Sequence, residues 1–67
     1  MTNWIPALSP DRPRYLAIAD AIAADLVSGR LNAGDRLPTQ RDLAFRLGVT
    51  IGTVTRAYQE AAKRGLL

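Results

Sequence analysis

One stretch constrains this chain more than any other: the eighteen residues QRDLAFRLGVTIGTVTRA, Gln40 to Ala57. Counting Gln40 as the first position, the fourth, eighth, tenth, fifteenth and eighteenth residues are Leu43, Leu47, Val49, Val54 and Ala57. All five are apolar, as the inner faces of two short crossed helices require. The fifth is Ala44, small enough for a second helix to cross close by. The ninth is Gly48, where a sharp turn with positive φ carries no side-chain penalty. That combination is the pattern of a helix-turn-helix, whose second helix enters a DNA groove.

The rest of the chain narrows the alternatives. At 67 residues it is at most one small domain, and chains of this size bury only about 60% of the surface their unfolded form exposes. With no cysteine and no histidine, it has no disulfide framework, no thiolate metal site and no imidazole base. Lys63 is the sole lysine, and an exposed helical lysine lacks the desolvating pocket that a Schiff base needs. Nothing here predicts an enzyme. Asp20, Asp25 and Ser28 interrupt the longest apolar runs, so no membrane span is expected. The N-terminus lacks the layout of a signal peptide. A soluble, cytoplasmic module is the expectation.

The net charge of +3 is unevenly placed. Residues 1–35 hold three Arg and four Asp, for −1, whereas residues 36–67 hold six Lys/Arg against Asp42 and Glu60, for +4. The excess falls on the helix-turn-helix segment, where attraction to phosphates would use it. An ordinary solvated surface would show the same numbers, so charge alone decides nothing.

Residues 1–12 read as a proline-rich arm, and residues 13–67 as the DNA-binding domain. Trp4, Ile5 and Leu8 are apolar beyond what an exposed arm needs. They suit either a strap on the domain's own surface or a contact with a partner. A first helix is expected from about Arg14 to Ser28, with Pro13 in its first turn and Gly29 at its C-terminal cap. Tyr15, Leu16, Ile18, Ala19, Ile22, Ala23, Leu26 and Val27 give it an apolar stripe wider than two short helices can bury. A turn centred on Gly34 follows, and Leu37, held extended by Pro38, offers one core side chain. Thr39 caps a second helix ending near Leu47, with Asp42 as an acidic variant of the capping box. Thr50 caps a third helix running to about Arg64, with Gly65 at its end.

A recognition helix reads bases mainly with its first two turns, here Ile51, Gly52, Thr53, Thr55 and Arg56. Gly52 costs about 1 kcal/mol relative to alanine in a helix; close approach to DNA would justify it, and tolerance in a first turn would also explain it. Thr53 and Thr55 suit phosphate, base or thymine methyl contacts. Arg56 has the reach for a bidentate guanine contact, unless an i,i+4 pair with Glu60 occupies it. Arg41 places a cation in a first helical turn, against the helix dipole, which suggests a phosphate contact. Arg46, Lys63 and Arg64 are weaker candidates.

The segment GDRLPTQRDLAFRLGVTIGTVTRAYQEAAKRGLL resembles the N-terminal DNA-binding domain of GntR-family bacterial transcription regulators. The GTVTRAY run and the W-I-P arm ahead of PRYLAIADAI are most similar to the MocR subgroup. The likeness covers nearly the whole chain. It implies a winged helix-turn-helix in which two strands follow the third helix and pair with a short strand near Arg36 and Leu37. The chain stops at Leu67, where the first of those strands would start. The expectation is therefore a mainly α, three-helix domain with the wing strands missing, cut from a longer protein. In MocR regulators the C-terminal portion resembles an aminotransferase that binds pyridoxal phosphate and supports a domain-swapped dimer. The resemblance thus implies a homodimer and that cofactor for the longer protein, and no cofactor in this segment. By motif position, the family's DNA-contacting arginine in LP-x-x-R falls on Arg41, and contacts at the start of the recognition helix fall on Thr50, Gly52, Thr53 and Thr55. Many relatives have arginine where Ile51 stands, so one backbone or base contact is lost here.

The expected function is sequence-specific binding of double-stranded DNA by a bacterial transcription regulator acting as a dimer. Two rivals remain open. One is a helical protein–protein module using the first helix's apolar stripe; the other is the regulatory end of an enzyme whose DNA binding has lapsed.

Overall fold

A computed structural model describes residues 4–67. Three helices form in order: α1 (Arg14–Ser28), α2 (Gln40–Leu47) and α3 (Ile51–Lys63). Each boundary has a local cause. Pro13 stands at the N-cap of α1, with φ −50° and ψ 142°, rather than inside the first turn. Its carbonyl accepts the Ala17 N–H at 2.9 Å, and its missing N–H costs nothing at that position. Thr39 and Thr50 cap α2 and α3, accepting the backbone N–H of Asp42 at 3.1 Å and of Thr53 at 3.2 Å. The capping box at Thr39 is only half made. The Asp42 carboxylate turns instead to the Arg46 Nε one turn along, at 3.1 Å; aspartate is one methylene shorter than the glutamate that usually reaches back.

Glycine closes both later helices with the same device. Gly48 has φ 69°; its N–H meets the Phe45 carbonyl at 3.3 Å, and the Val49 N–H meets the Ala44 carbonyl at 3.0 Å. Gly65 has φ 79°, with Gly65 bonded to Ala62 at 3.0 Å and Leu66 to Ala61 at 2.9 Å. Both are Schellman turns, which satisfy the last carbonyls and swing the next apolar residue inward. Val49 and Leu66 duly pack against the core. Consequently α3 ends at Lys63, one residue short of the expected Arg64.

The core forms where α3 crosses both other helices. Ile18 and Ile22 of α1, Leu43 and Ala44 of α2, and Val54, Ala57 and Ala61 of α3 are buried, joined by Leu31 and Trp4. The alanines at Ala44 and Ala57 supply the close approach that the eighteen-residue pattern requires. Leu37 adds the expected partial contribution. Among the described residues, however, Arg36 and Leu37 form no strand. An extended pair of residues has no ladder without a neighbouring strand, and the Tyr58 hydroxyl holds this segment instead, donating to the Pro38 carbonyl at 2.8 Å.

The apolar stripe of α1 is not uniformly buried. Ile18, Ala19 and Ile22 are buried, Tyr15, Leu16, Ala23 and Leu26 partly so, and Val27 is 91% exposed. Ala17, outside the expected stripe, is buried as well. The arm accounts for part of this. Trp4 is buried, and its indole N–H donates to the Asp25 carboxylate. Asp25, Ala21 and Ala17 repeat every four residues, so they share one face of α1. Trp4 is thus a strap on the domain's own surface, while Ile5 remains 46% exposed. No helix among the described residues is long and apolar enough to cross a membrane.

Candidate nucleic-acid interface

The outward ridge of α3 lies between the first turns of the other two helices. On one side Thr55 reaches α2: its hydroxyl lies within hydrogen-bond reach of the Gln40 side-chain oxygen, and also of the Ile51 carbonyl at 3.0 Å. On the other side Arg56 reaches α1, with its guanidinium carbon 4.0 Å from the centre of the Tyr15 ring. The first turns of α1 and α2 therefore flank α3 on either side.

Thr50, Gly52, Thr53 and Arg56 come together here, lining a shallow depression with Arg14 and Tyr15. The Thr50 and Thr53 hydroxyls sit 3.0 Å apart and stay near the surface. Gly52 is exposed, and a β-carbon placed there would meet only the Thr50 hydroxyl, at 3.9 Å. Neither backbone conformation nor internal packing calls for glycine at this position. Thr55 and Arg41 lie outside the depression, on the α2 side, where Arg41 is exposed in the first turn. Ile51, the departure from the family pattern, is 47% exposed at the start of α3.

Charge pairing sorts the cations. Arg12 pairs with Asp20 at 2.7 Å, Arg30 with Asp25 at 3.9 Å, Arg46 with Asp42 at 3.1 Å, and Arg64 with both Asp20 at 2.8 Å and Glu60 at 2.9 Å. The Arg64 guanidinium, helped by Arg12, holds the Asp20 carboxyl below the ordinary carboxylate range and outweighs the opposing effect of desolvation. Arg14, Arg36, Arg41, Arg56 and Lys63 have no carboxylate partner among the described residues. Arg46 and Arg64, both weaker candidates from the sequence, are thus engaged internally. The pair considered for Arg56 is absent: Glu60 takes Arg64 instead, the acid-before-base order that an i,i+4 pair prefers.

Arg14 and Tyr15 were not evident as site residues from sequence. Tyr15 read as core, and Arg14 as the start of a helix distant from the motif; only the packing of α1 on α3 brings them to the ridge. The one sequence signal was a cation at the start of α1, the same feature that drew attention to Arg41. Lys63 stands exposed on the outer face of α3, so these residues do not fit a pyridoxal phosphate site.

The bacterial regulatory proteins of the gntR family match over residues 14–67. Among curated proteins, the chain is 38% identical over 55 residues to the HTH-type transcriptional regulator SmoD of Agrobacterium fabrum, covering 82% of this chain and 24% of that protein. It is 43% identical over 61 residues to the HTH-type transcriptional regulator Rv1152 of Mycobacterium tuberculosis, covering 90% of this chain and 50% of that protein. It is 36% identical over 63 residues to the HTH-type pyridoxine biosynthesis transcriptional regulator PdxR of Corynebacterium glutamicum, covering 91% of this chain and 14% of that protein. The chain therefore spans half or less of the length of these relatives. No solved structure matches it. A helix-turn-helix whose spacing, caps and glycine turns agree with a family match over three whole helices places the chain in the gntR family of bacterial regulatory proteins.

Proposed function

We propose that the chain binds double-stranded DNA as the reading head of a bacterial transcription regulator, with α3 in the major groove. The observation that carries this is the ridge of α3 itself: Thr50, Gly52, Thr53 and Arg56 stand exposed or near the surface, flanked by Arg14 and Arg41, which have no carboxylate partner among the described residues. Each residue has a role that its placement suits. Arg41 and Arg14 contact phosphates on either side of the groove. Gly52 allows the backbone close to the duplex. Thr50 and Thr53 bond backbone or base edges, and Arg56 addresses a guanine. Thr55 holds α3 against α2 through Gln40 and offers its methyl to a thymine.

The GTVTRAY run and the likeness to a pyridoxine biosynthesis regulator support the finer placement in the MocR subgroup. In the longer protein we place a homodimer on paired half-sites and pyridoxal phosphate in a separate domain. The rival module based on the stripe of α1 has little surface to use, since Ile18, Ala19 and Ile22 are buried and Trp4 straps the neighbouring face. Fluorescence anisotropy of labelled mixed-sequence duplexes at low salt is the direct test. Saturable binding that salt weakens is the expected result; no binding at any salt would overturn the assignment.

A further inference from the structure

We infer that Tyr15 is the positioning residue for Arg56, so that α1 takes part in sequence reading without touching a base. This inference rests on the DNA-binding role proposed above. A free arginine side chain loses much rotamer freedom when it docks on a base. Here the Arg56 guanidinium lies 4.0 Å from the Tyr15 ring centre, so part of that ordering is complete before DNA arrives. The ring is well anchored for the task, in the first turn of α1 and packed against the hydrophobic core.

The geometry of the contact matters as much as its strength. Stacking occupies the flat face of the guanidinium and leaves its in-plane N–H donors available, whereas an ion pair would occupy those donors. Among the described residues, the carboxylate in helical reach, Glu60, is drawn off by Arg64 at 2.9 Å. Arg56 therefore lies over the ring, beside Gly52 and Thr53, with its fork ready for a bidentate acceptor such as the O6 and N7 edge of guanine.

Tyr15→Leu and Tyr15→Phe separate this role from simple packing, because phenylalanine keeps the ring face and leucine keeps only apolar bulk. Two measurements apply. The first, on the free protein, is the Arg56 Nε–H resonance, which ring current shifts upfield in the parent and in Tyr15→Phe and which returns toward the ordinary position in Tyr15→Leu. An unshifted parent resonance overturns the stacking whether or not DNA is bound. The second compares a duplex enriched from a randomised library by the parent chain with unselected duplexes. Tyr15→Leu is expected to lower the preference for the enriched duplex by about two- to fivefold, with Tyr15→Phe restoring it and no further loss when Tyr15→Leu is added to Arg56→Ala. Equal weakening on all duplexes, or full additivity with Arg56→Ala, assigns Tyr15 to packing alone and overturns the proposal. A parent that enriches no sequence while the upfield shift persists overturns the sequence-reading role itself, and with it the function proposed for Arg56.

Discussion

The Tyr58 hydroxyl donates to the Pro38 carbonyl across 2.8 Å, joining the middle of α3 to the segment that leads into α2. Burial, helped by the nearby Asp42 carboxylate, pushes the phenol up from its ordinary value of 10.0 to about 12. The folded state thus holds this proton more tightly than the unfolded chain does. The associated stability is fully present below pH 10.0 and is lost as pH rises through about 12. Tyr58→Phe should cost about 0.5 to 1.5 kcal/mol at neutral pH through the missing hydrogen bond. It should also flatten the alkaline loss. Urea unfolding across that pH range measures both, and an unchanged alkaline slope in the phenylalanine variant would contradict the assignment.

Arg14, Arg41 and Arg56 are the arginines beside the ridge that have no carboxylate partner among the described residues. With Arg14 and Arg41 on phosphates and Arg56 on a base, about two phosphate contacts give log K against log salt a slope of about −2. Anisotropy titrations between low and physiological salt give the slope. Affinity retained with a slope near zero would show that these cations are not used.

Arg41→Ala and Arg56→Ala should differ in kind. Losing a phosphate contact at Arg41 weakens enriched and unselected DNA by similar factors and makes the salt slope shallower by about one unit. Losing a guanine contact at Arg56 costs about 1 to 3 kcal/mol on the preferred duplex and relaxes preference at one base pair. Competition assays with single-base variants of the enriched duplex tell them apart; identical losses on every sequence would refute the division.

Gly52→Glu is the sharpest single change. A β-carbon at this site meets only the Thr50 hydroxyl at 3.9 Å, and a carboxylate in the first turn suits the helix dipole. Thermal stability should be unchanged or raised by up to about 1 kcal/mol. DNA binding should disappear, because the carboxylate would face phosphates at close range. Parent-like binding by a well-folded Gly52→Glu protein would remove α3 as the reading element.

The residues that sequence could interpret are those governed by near neighbours. Thr39 and Thr50 cap at a distance of three residues, Gly48 and Gly65 turn where a positive φ is needed, and the eighteen-residue pattern placed Val54 and Ala57 inside. What escaped depends on pairings across the chain. Trp4 to Asp25, Gln40 to Thr55, Pro38 to Tyr58 and Tyr15 to Arg56 each join elements whose relative placement no local pattern encodes. The split fate of Glu60 is intermediate. Both arginines lay at four-residue spacing, and the preferred order of acid and base favours Arg64. The short strand at Arg36 and Leu37 could not form from local tendency, because a strand exists only through its neighbour.

Trp4 is 5% exposed and belongs to the same hydrophobic cluster against which Leu66 packs. The arm ahead of α1 and the turn after α3 therefore close the same core from either side of the helix-turn-helix. Loosening either segment opens one shared core rather than detaching an appendage.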